Sequence, residues 1–174
     1  WRDVVEDDQV HLVSVCTPND THAEIAVAAL AAGKHVWCEK PMSTTLADST
    51  AMANAAASSA GKTIIGYNYT KNPAVTHARR LIDDGVIGRV SGFFCRYDVD
   101  NEADGNRPWS WRMSRAQSGT GSNGDVLSHV ISVAHFLTNS SISRVVGDYT
   151  IVHKERADSQ AAGQTKIVDN DDMV

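Results

Sequence analysis

The stretch His35-Val36-Trp37-Cys38-Glu39-Lys40-Pro41 decides the fold. Four residues of strand character end on a charged pair and a proline, and in an open α/β sheet the carboxyl end of a strand is where ligands bind. Upstream, Val10 to Cys16 is an apolar run with β-branched valines, broken by Thr17-Pro18-Asn19-Asp20. Ala23 to Ala32 then reads as an alanine-rich helix closed by Gly33. Downstream, Thr45 with Asp48 three residues later resembles a capping box, opening a helix through about Ser59 that ends at Gly61. Thr63 to Tyr67 is a third strand. Three strands joined by helical crossovers predict a parallel, doubly wound sheet over residues 1–70.

Residues 71–174 read differently. A helix covers about Pro73 to Asp84, Val90 to Val99 alternates like a strand covered on one face, and Ser143 to His153 is strand-like again. This predicts the first part of an α+β domain. Between these strands, Asp125 and His129 stand four apart on a strongly helical stretch, which puts a carboxylate and an imidazole on one face, one turn apart. With Lys40 they form a candidate acid-base site.

With 42% hydrophobic and 21% charged residues in 174, the chain has a soluble, globular composition. The formal net charge is −5 and basic residues are scattered except at Arg79-Arg80, so no basic stripe argues for nucleic acid. No run reaches the ~18 apolar residues of a membrane span, and the acidic start Trp1 to Asp8 is no signal peptide, so a cytoplasmic location is expected. Cys16, Cys38 and Cys95 lack CxxC spacing and lie in strand-like runs, which predicts buried, reduced thiols.

Gly119, Gly121 and Gly124 match the GxGxxG dinucleotide pattern. The pattern requires a buried strand just before it, and the segment Trp109 to Ser118 is polar. Asp125 would also put a negative charge where a phosphate should sit. The expected reading is a glycine loop entering a helix.

Four segments in order carry a family resemblance: Val13 to His22, Gly33 to Pro41, Gly66-Tyr67-Asn68-Tyr69, and Gly124 to Leu137. They resemble successive motifs of the Gfo/Idh/MocA oxidoreductases. The resemblance implies a partial Rossmann-like parallel sheet followed by part of an α+β domain with a large open, mainly antiparallel sheet. It also implies that the chain is an internal fragment, lacking the βαβ unit with the glycine fingerprint before Trp1 and sheet strands after Val174. By itself such a fragment is expected to bind cofactor poorly and to be inactive.

The implied function is NAD(P)-dependent oxidation of a secondary alcohol of a sugar, inositol or related polyol, with NAD or NADP left open. His129 would take the hydroxyl proton, Asp125 would hold the imidazole or the substrate hydroxyl, and Lys40 would donate to the reacting oxygen. Cofactor contacts are implied for Thr17, Pro18, Asn19, His22, Glu39, Lys40, Pro41, Asn68, Tyr69, Trp111 and Arg112. Blander roles stand beside these. Asp20 or Thr21 can cap a helix, Glu39 can neutralise Lys40, Pro41 can form a cis turn that aims the lysine, and Trp111-Arg112 can be a packing element. No metal is expected, because His135 lies on roughly the opposite face from Asp125 and His129 and no third ligand is in view. Leu127, Ser132 and Lys71 depart from the family pattern of glycine, aspartate and arginine, which bears on substrate contacts. A nicotinamide-binding regulator of the same fold is the alternative. A dimer or tetramer is expected through the open sheet, with Phe93, Cys95, Tyr97 and Val99 facing outward in preference to Gly92, Phe94, Arg96 and Asp98.

Overall fold

The computed structural model describes residues 1–100 and 102–171. Its first half is a parallel sheet in the order β1 (Leu12–Val15), β2 (His35–Cys38), β3 (Thr63–Ile65). The register pairs Val13 with Val36 and Trp37 with Ile64, so the carboxyl ends of all three strands open in one direction. Two helices, α2 (His22–Ala31) and α3 (Leu46–Ser58), make the crossovers and touch each other, while the short α1 (Arg2–Glu6) adds Val5. One face of the sheet is sealed: Val13, Val15, Val36 and Cys38 pack with Ile25, Ala29, Leu30 and Met52. The opposite face leaves Leu12, Trp37 and Ile64 exposed. Each fully buried Val, Leu or Ile contributes about 1.5–3 kcal/mol, so this cluster is the main apolar anchor of the chain.

Local chemistry explains the helix ends. Gly33, at φ 75°, lets the Gly33 and Lys34 amides turn back to the Leu30 and Ala29 carbonyls and close α2. Thr45 caps α3 by accepting from the Asp48 amide at 3.1 Å, and its hydroxyl donates to the Asp48 carboxylate. At α2 neither Asp20 nor Thr21 caps with its side chain, and Thr21 instead donates to the Pro18 carbonyl. Asn72 caps α4 (Pro73–Asp83), with proline in the first helical position.

The second half has little apolar core. A four-residue helix, α5 (Arg115–Ser118), leads through the glycine loop into a wide turn at Asn123–Leu127, continuous with α6 (Ser128–Thr138). The strand expected over Val90–Val99 is not formed, and that over Ser143–His153 is reduced to a single bridge residue at Thr150, among the described residues. The antiparallel pairing found there is β4 (Glu155–Ala157) with β5 (Thr165–Ile167). An alternating segment becomes a strand only when a neighbour accepts its backbone hydrogen bonds.

One further expectation is corrected. Cys38 is buried, and burial beside Glu39 pushes its thiol up to about 12, but Cys16 and Cys95 are free and exposed. Along 92–99 both alternating sets are exposed, Phe93 at 40% and Phe94 at 89%, so neither side is sealed; Tyr97 lies against the His129 ring and Val99 lines the central cleft. Alternation of period two names two faces without saying which is buried.

Candidate functional site

Glu39 and Lys40 leave β2 at the carboxyl edge of the sheet, and the Lys40-Pro41 peptide is cis. The Lys40 ammonium reaches across to the start of the site helix. It donates to the Asp125 carbonyl at 2.8 Å and forms an ion pair with the Asp125 carboxylate. Residues 85 apart in the chain are thereby joined at one point. Glu39 does not neutralise Lys40. Its carboxylate lies against Gly66, where an added Cβ would come within 3.0 Å of it, so the first glycine of Gly66-Tyr67-Asn68-Tyr69 makes room for an acid.

His129 is 8% exposed and surrounded by tyrosines, with the Tyr69 ring at 4.5 Å, Tyr67 at 6.0 Å and Tyr97 at 6.4 Å. The Tyr69 and Tyr97 hydroxyls share a hydrogen bond of 2.6 Å. Burial lowers the pKa of His129 below the usual histidine value, and the Lys40 charge lowers it further against weaker opposing effects of Asp125 and Glu39. Its Nδ1 is enclosed without a hydrogen-bond partner. Asp125 makes no hydrogen bond to the imidazole here; one of its carboxylate oxygens and its carbonyl accept from Lys40.

A cleft of about 150 Å³ lies beside this pair, lined by residues from both halves, including Thr17, Asn19, Glu39, Lys40, Trp111 and Asp125. Arg112 also lines it, with its guanidinium 4.5 Å over the Trp111 ring. Asn19 is buried and donates to the Ser118 carbonyl at 3.0 Å, which ties the loop after β1 to the second half. Pro18 stands behind this edge as the start of the turn at Asn19–Thr21.

His22 lines the floor of the cleft, almost fully buried, with its ring nitrogens 2.9 Å from the Thr17 carbonyl and 3.0 Å from the Pro41 carbonyl. The ring thus bridges the loops after β1 and β2, its single N–H in the neutral form donating to one of the two carbonyls. Asn68 is exposed, in the turn at Asn68–Lys71. Tyr69 follows it and turns toward His129.

Sequence reasoning passed over Glu102, Ser118, Asn170 and Asp171, all of which line the cleft. The run Asp169-Asn170-Asp171 reads as an acidic segment without a closing element, yet Asn170 and Asp171 are 4% and 8% exposed. Asn170 donates to the Arg112 carbonyl at 3.1 Å and to the Ser118 hydroxyl. These contacts span more than 50 residues, and no local pattern announces them. No group of three or more His, Cys, Asp or Glu among the described residues is placed to hold a metal ion.

A parallel α/β unit whose strand ends meet a helix-borne Asp/His pair across a cleft is a two-part architecture of the nucleotide-binding type. Comparison with known proteins makes the class specific. Residues 1–67 match the model described as "Oxidoreductase family, NAD-binding Rossmann fold", and residues 75–173 match the Gfo/Idh/MocA C-terminal domain. The chain belongs to the Gfo/Idh/MocA oxidoreductase family.

It is 40% identical over 153 residues to the levoglucosan dehydrogenase of Pseudarthrobacter phenanthrenivorans, covering 88% of this chain and 37% of that protein. A crystal structure of an oxidoreductase domain protein from Kribbella flavida superposes with a TM-score of 0.89 at 42% identity, over 99% of this chain and 46% of the other. A levoglucosan dehydrogenase in complex with NADH and levoglucosan gives 0.92 at 38% identity, over 99% and 45%. The chain thus spans under half the length of these relatives. None of the helices among the described residues is long and apolar enough to cross a membrane.

Proposed function

We propose that the full-length protein carrying this chain is an NAD(P)-dependent dehydrogenase that oxidises a secondary alcohol of a sugar, inositol or related polyol. The observation that carries this reading is the seating of the Lys40 ammonium on Asp125, one helical turn before a buried imidazole of lowered pKa.

The residues fit a nicotinamide cofactor: the strand ends after β1 and β2 open into the cleft, and Thr17, Asn19, Glu39 and Lys40 line it. Pro18, Pro41, Asn68, Tyr69, Trp111 and Arg112 complete the proposed cofactor surface, while His22 supports it from below. Nicotinamide, when bound, supplies the hydride acceptor. The chain's own groups then handle the proton. His129, neutral near pH 7 because burial disfavours its charged form, accepts the hydroxyl proton at Nε2. Lys40 donates a hydrogen bond to the oxygen as negative charge develops there, and Asp125 fixes the direction of the ammonium. The tyrosines around His129 restrict water on the buried side of the ring. We further propose that copies associate through the apolar side chains left exposed in the second half, among them Phe94, Val145 and Val146.

The test is turnover with a panel of inositols and aldoses. Lys40→Ala and His129→Ala should each lower kcat by about 10²-fold or more, as for positioned acid-base groups, with cofactor affinity little changed. Wild-type turnover in His129→Ala would remove the catalytic assignment, and a wild-type protein that binds NAD(H) without oxidising any member of the panel would favour a cofactor-sensing regulator.

A further inference from the structure

Gly119, Gly121 and Gly124 form a loop whose amides suit an anion, and an anion is there. The Asp171 carboxylate accepts from the Gly121 amide at 2.9 Å with Oδ1 and from the Asn123 amide at 2.7 Å with Oδ2. The Ser122 amide donates to the Asp171 carbonyl at 2.9 Å, so three consecutive loop amides are satisfied by one residue. The fit requires glycine: a Cβ at Gly121 would lie 1.7 Å from the Asp171 carbonyl oxygen. Asp171 is 8% exposed. The neighbouring residues hold it in place, with Asp169 accepting from the Arg115 amide at 2.7 Å and Asn170 bound to Ser118 and the Arg112 carbonyl.

The loop leads directly into Asp125. The Asp125 amide donates to the Gly121 carbonyl at 2.9 Å, and the Asp125 carbonyl is the acceptor that receives Lys40. The first turn of the site helix therefore hangs from Asp171 on one side and from Lys40 on the other. Charge-assisted hydrogen bonds to a carboxylate are among the stronger ones available, and a negative group at a helix start is favoured by its dipole.

We infer that Asp171 is a positioning residue for the reaction: its carboxylate fills the amide nest of the glycine loop and sets the turn that carries Asp125 toward Lys40, with His129 one turn beyond. This rests on the dehydrogenase reading above. Because the nest is occupied by the chain's own carboxylate, the Gly121, Ser122 and Asn123 amides are not available to an anionic group of a ligand.

The experiment uses the full-length protein and two readouts. In Asp171→Ala the Gly121 and Asn123 amides should exchange with deuterium about tenfold faster or more, as expected for loss of a hydrogen bond to a charged group. The value of kcat with the best polyol of the panel should fall by about tenfold or more through misplacement of the Asp125 turn, with cofactor affinity unchanged. Added formate, a small carboxylate that fits the emptied nest, should restore a large part of kcat in the variant and none in the wild type.

Unchanged protection of the two amides, wild-type kcat in the variant, or a loss that formate does not repair would each overturn the inference. If the alanine variant does not fold, Asp171→Asn carries the test, since the amide side chain keeps one acceptor and should retain protection at one of the two backbone amides only. Protection at both, or wild-type kcat, would overturn it. A wild-type protein that oxidises no polyol defeats the functional reading alone, and the exchange data then decide the role of Asp171.

Discussion

Residues 12–65 and residues 102–171 are held together by different forces, and the difference locates the site. The first region is an apolar wedge: β1 and β2 press Val13, Val15, Val36 and Cys38 against Ile25, Ala29, Leu30 and Met52. In the second, Met113 and Val168 are the buried apolar residues found among those described, and the joints are polar. Arg156, 2% exposed, donates to the Asp104 and Glu102 carbonyls at 2.5 Å each and to the Arg107 carbonyl at 3.3 Å, gathering the loop that brings Glu102 to the cleft. Asn170 and Asp171 do the same for the glycine loop. Apolar burial is non-directional and makes a platform, whereas hydrogen bonds to backbone carbonyls and amides specify angles. The catalytic candidates lie where the two meet, with Lys40 on the platform and Asp125 and His129 on the element aimed at it.

The contrast can be broken by substitution. Leu30→Ala removes a 4% exposed side chain from the platform and should cost about 2–5 kcal/mol in urea unfolding, seen as a cooperative loss of the whole first region. Arg156→Met should cost about 1–3 kcal/mol, because carbonyls that shared one donor group are left unpaired in a buried setting. Its effect should be local, appearing as faster amide exchange across residues 102–107 with the β1 to β3 amides unchanged. Equal, global effects of the two variants would show that the regions do not differ in the way described.

Thr45→Ala sharpens the comparison at smaller scale. The cap hydrogen bond to the Asp48 amide is worth about 1 kcal/mol, and its loss should fray the start of α3 without touching the cleft. A thermal unfolding midpoint equal to that of the wild type would show that the cap contributes nothing.

The smallest expected effect is a pH dependence at His129. Its folded pKa lies below 6.5, so the unfolded chain takes up that proton first as pH falls. Stability from this group is present above 6.5 and is lost as pH falls through the folded value. The acid limb of kcat/KM should likewise lie below 6.5 and vanish in His129→Gln. An acid limb above that value would mean that an opposing carboxylate outweighs burial and Lys40.

Much of this was legible in the chain. Strands at 12–15 and 35–38, the Thr45 cap, the Gly33 stop and the four-residue spacing of Asp125 and His129 are local patterns, and local patterns report burial, turn chemistry and helical faces directly. The glycine loop was also readable as no dinucleotide site, on the polar segment before it.

Other features needed the tertiary structure. Which side of residues 92–99 meets His129 depends on a register that alternation leaves open, and whether that segment becomes a strand depends on a partner. The seating of His22 against the Pro41 carbonyl, the ion pair of Lys40 with Asp125, and the arrival of Asp171 at the glycine loop all join residues distant in sequence. The sequence by itself determined the alternating strands and helices of the first half and the family, because these are written in short-range spacing and motif order. Only the tertiary structure decided which donor meets which acceptor, because a hydrogen bond is set by distance and angle between atoms, and chain proximity does not encode either.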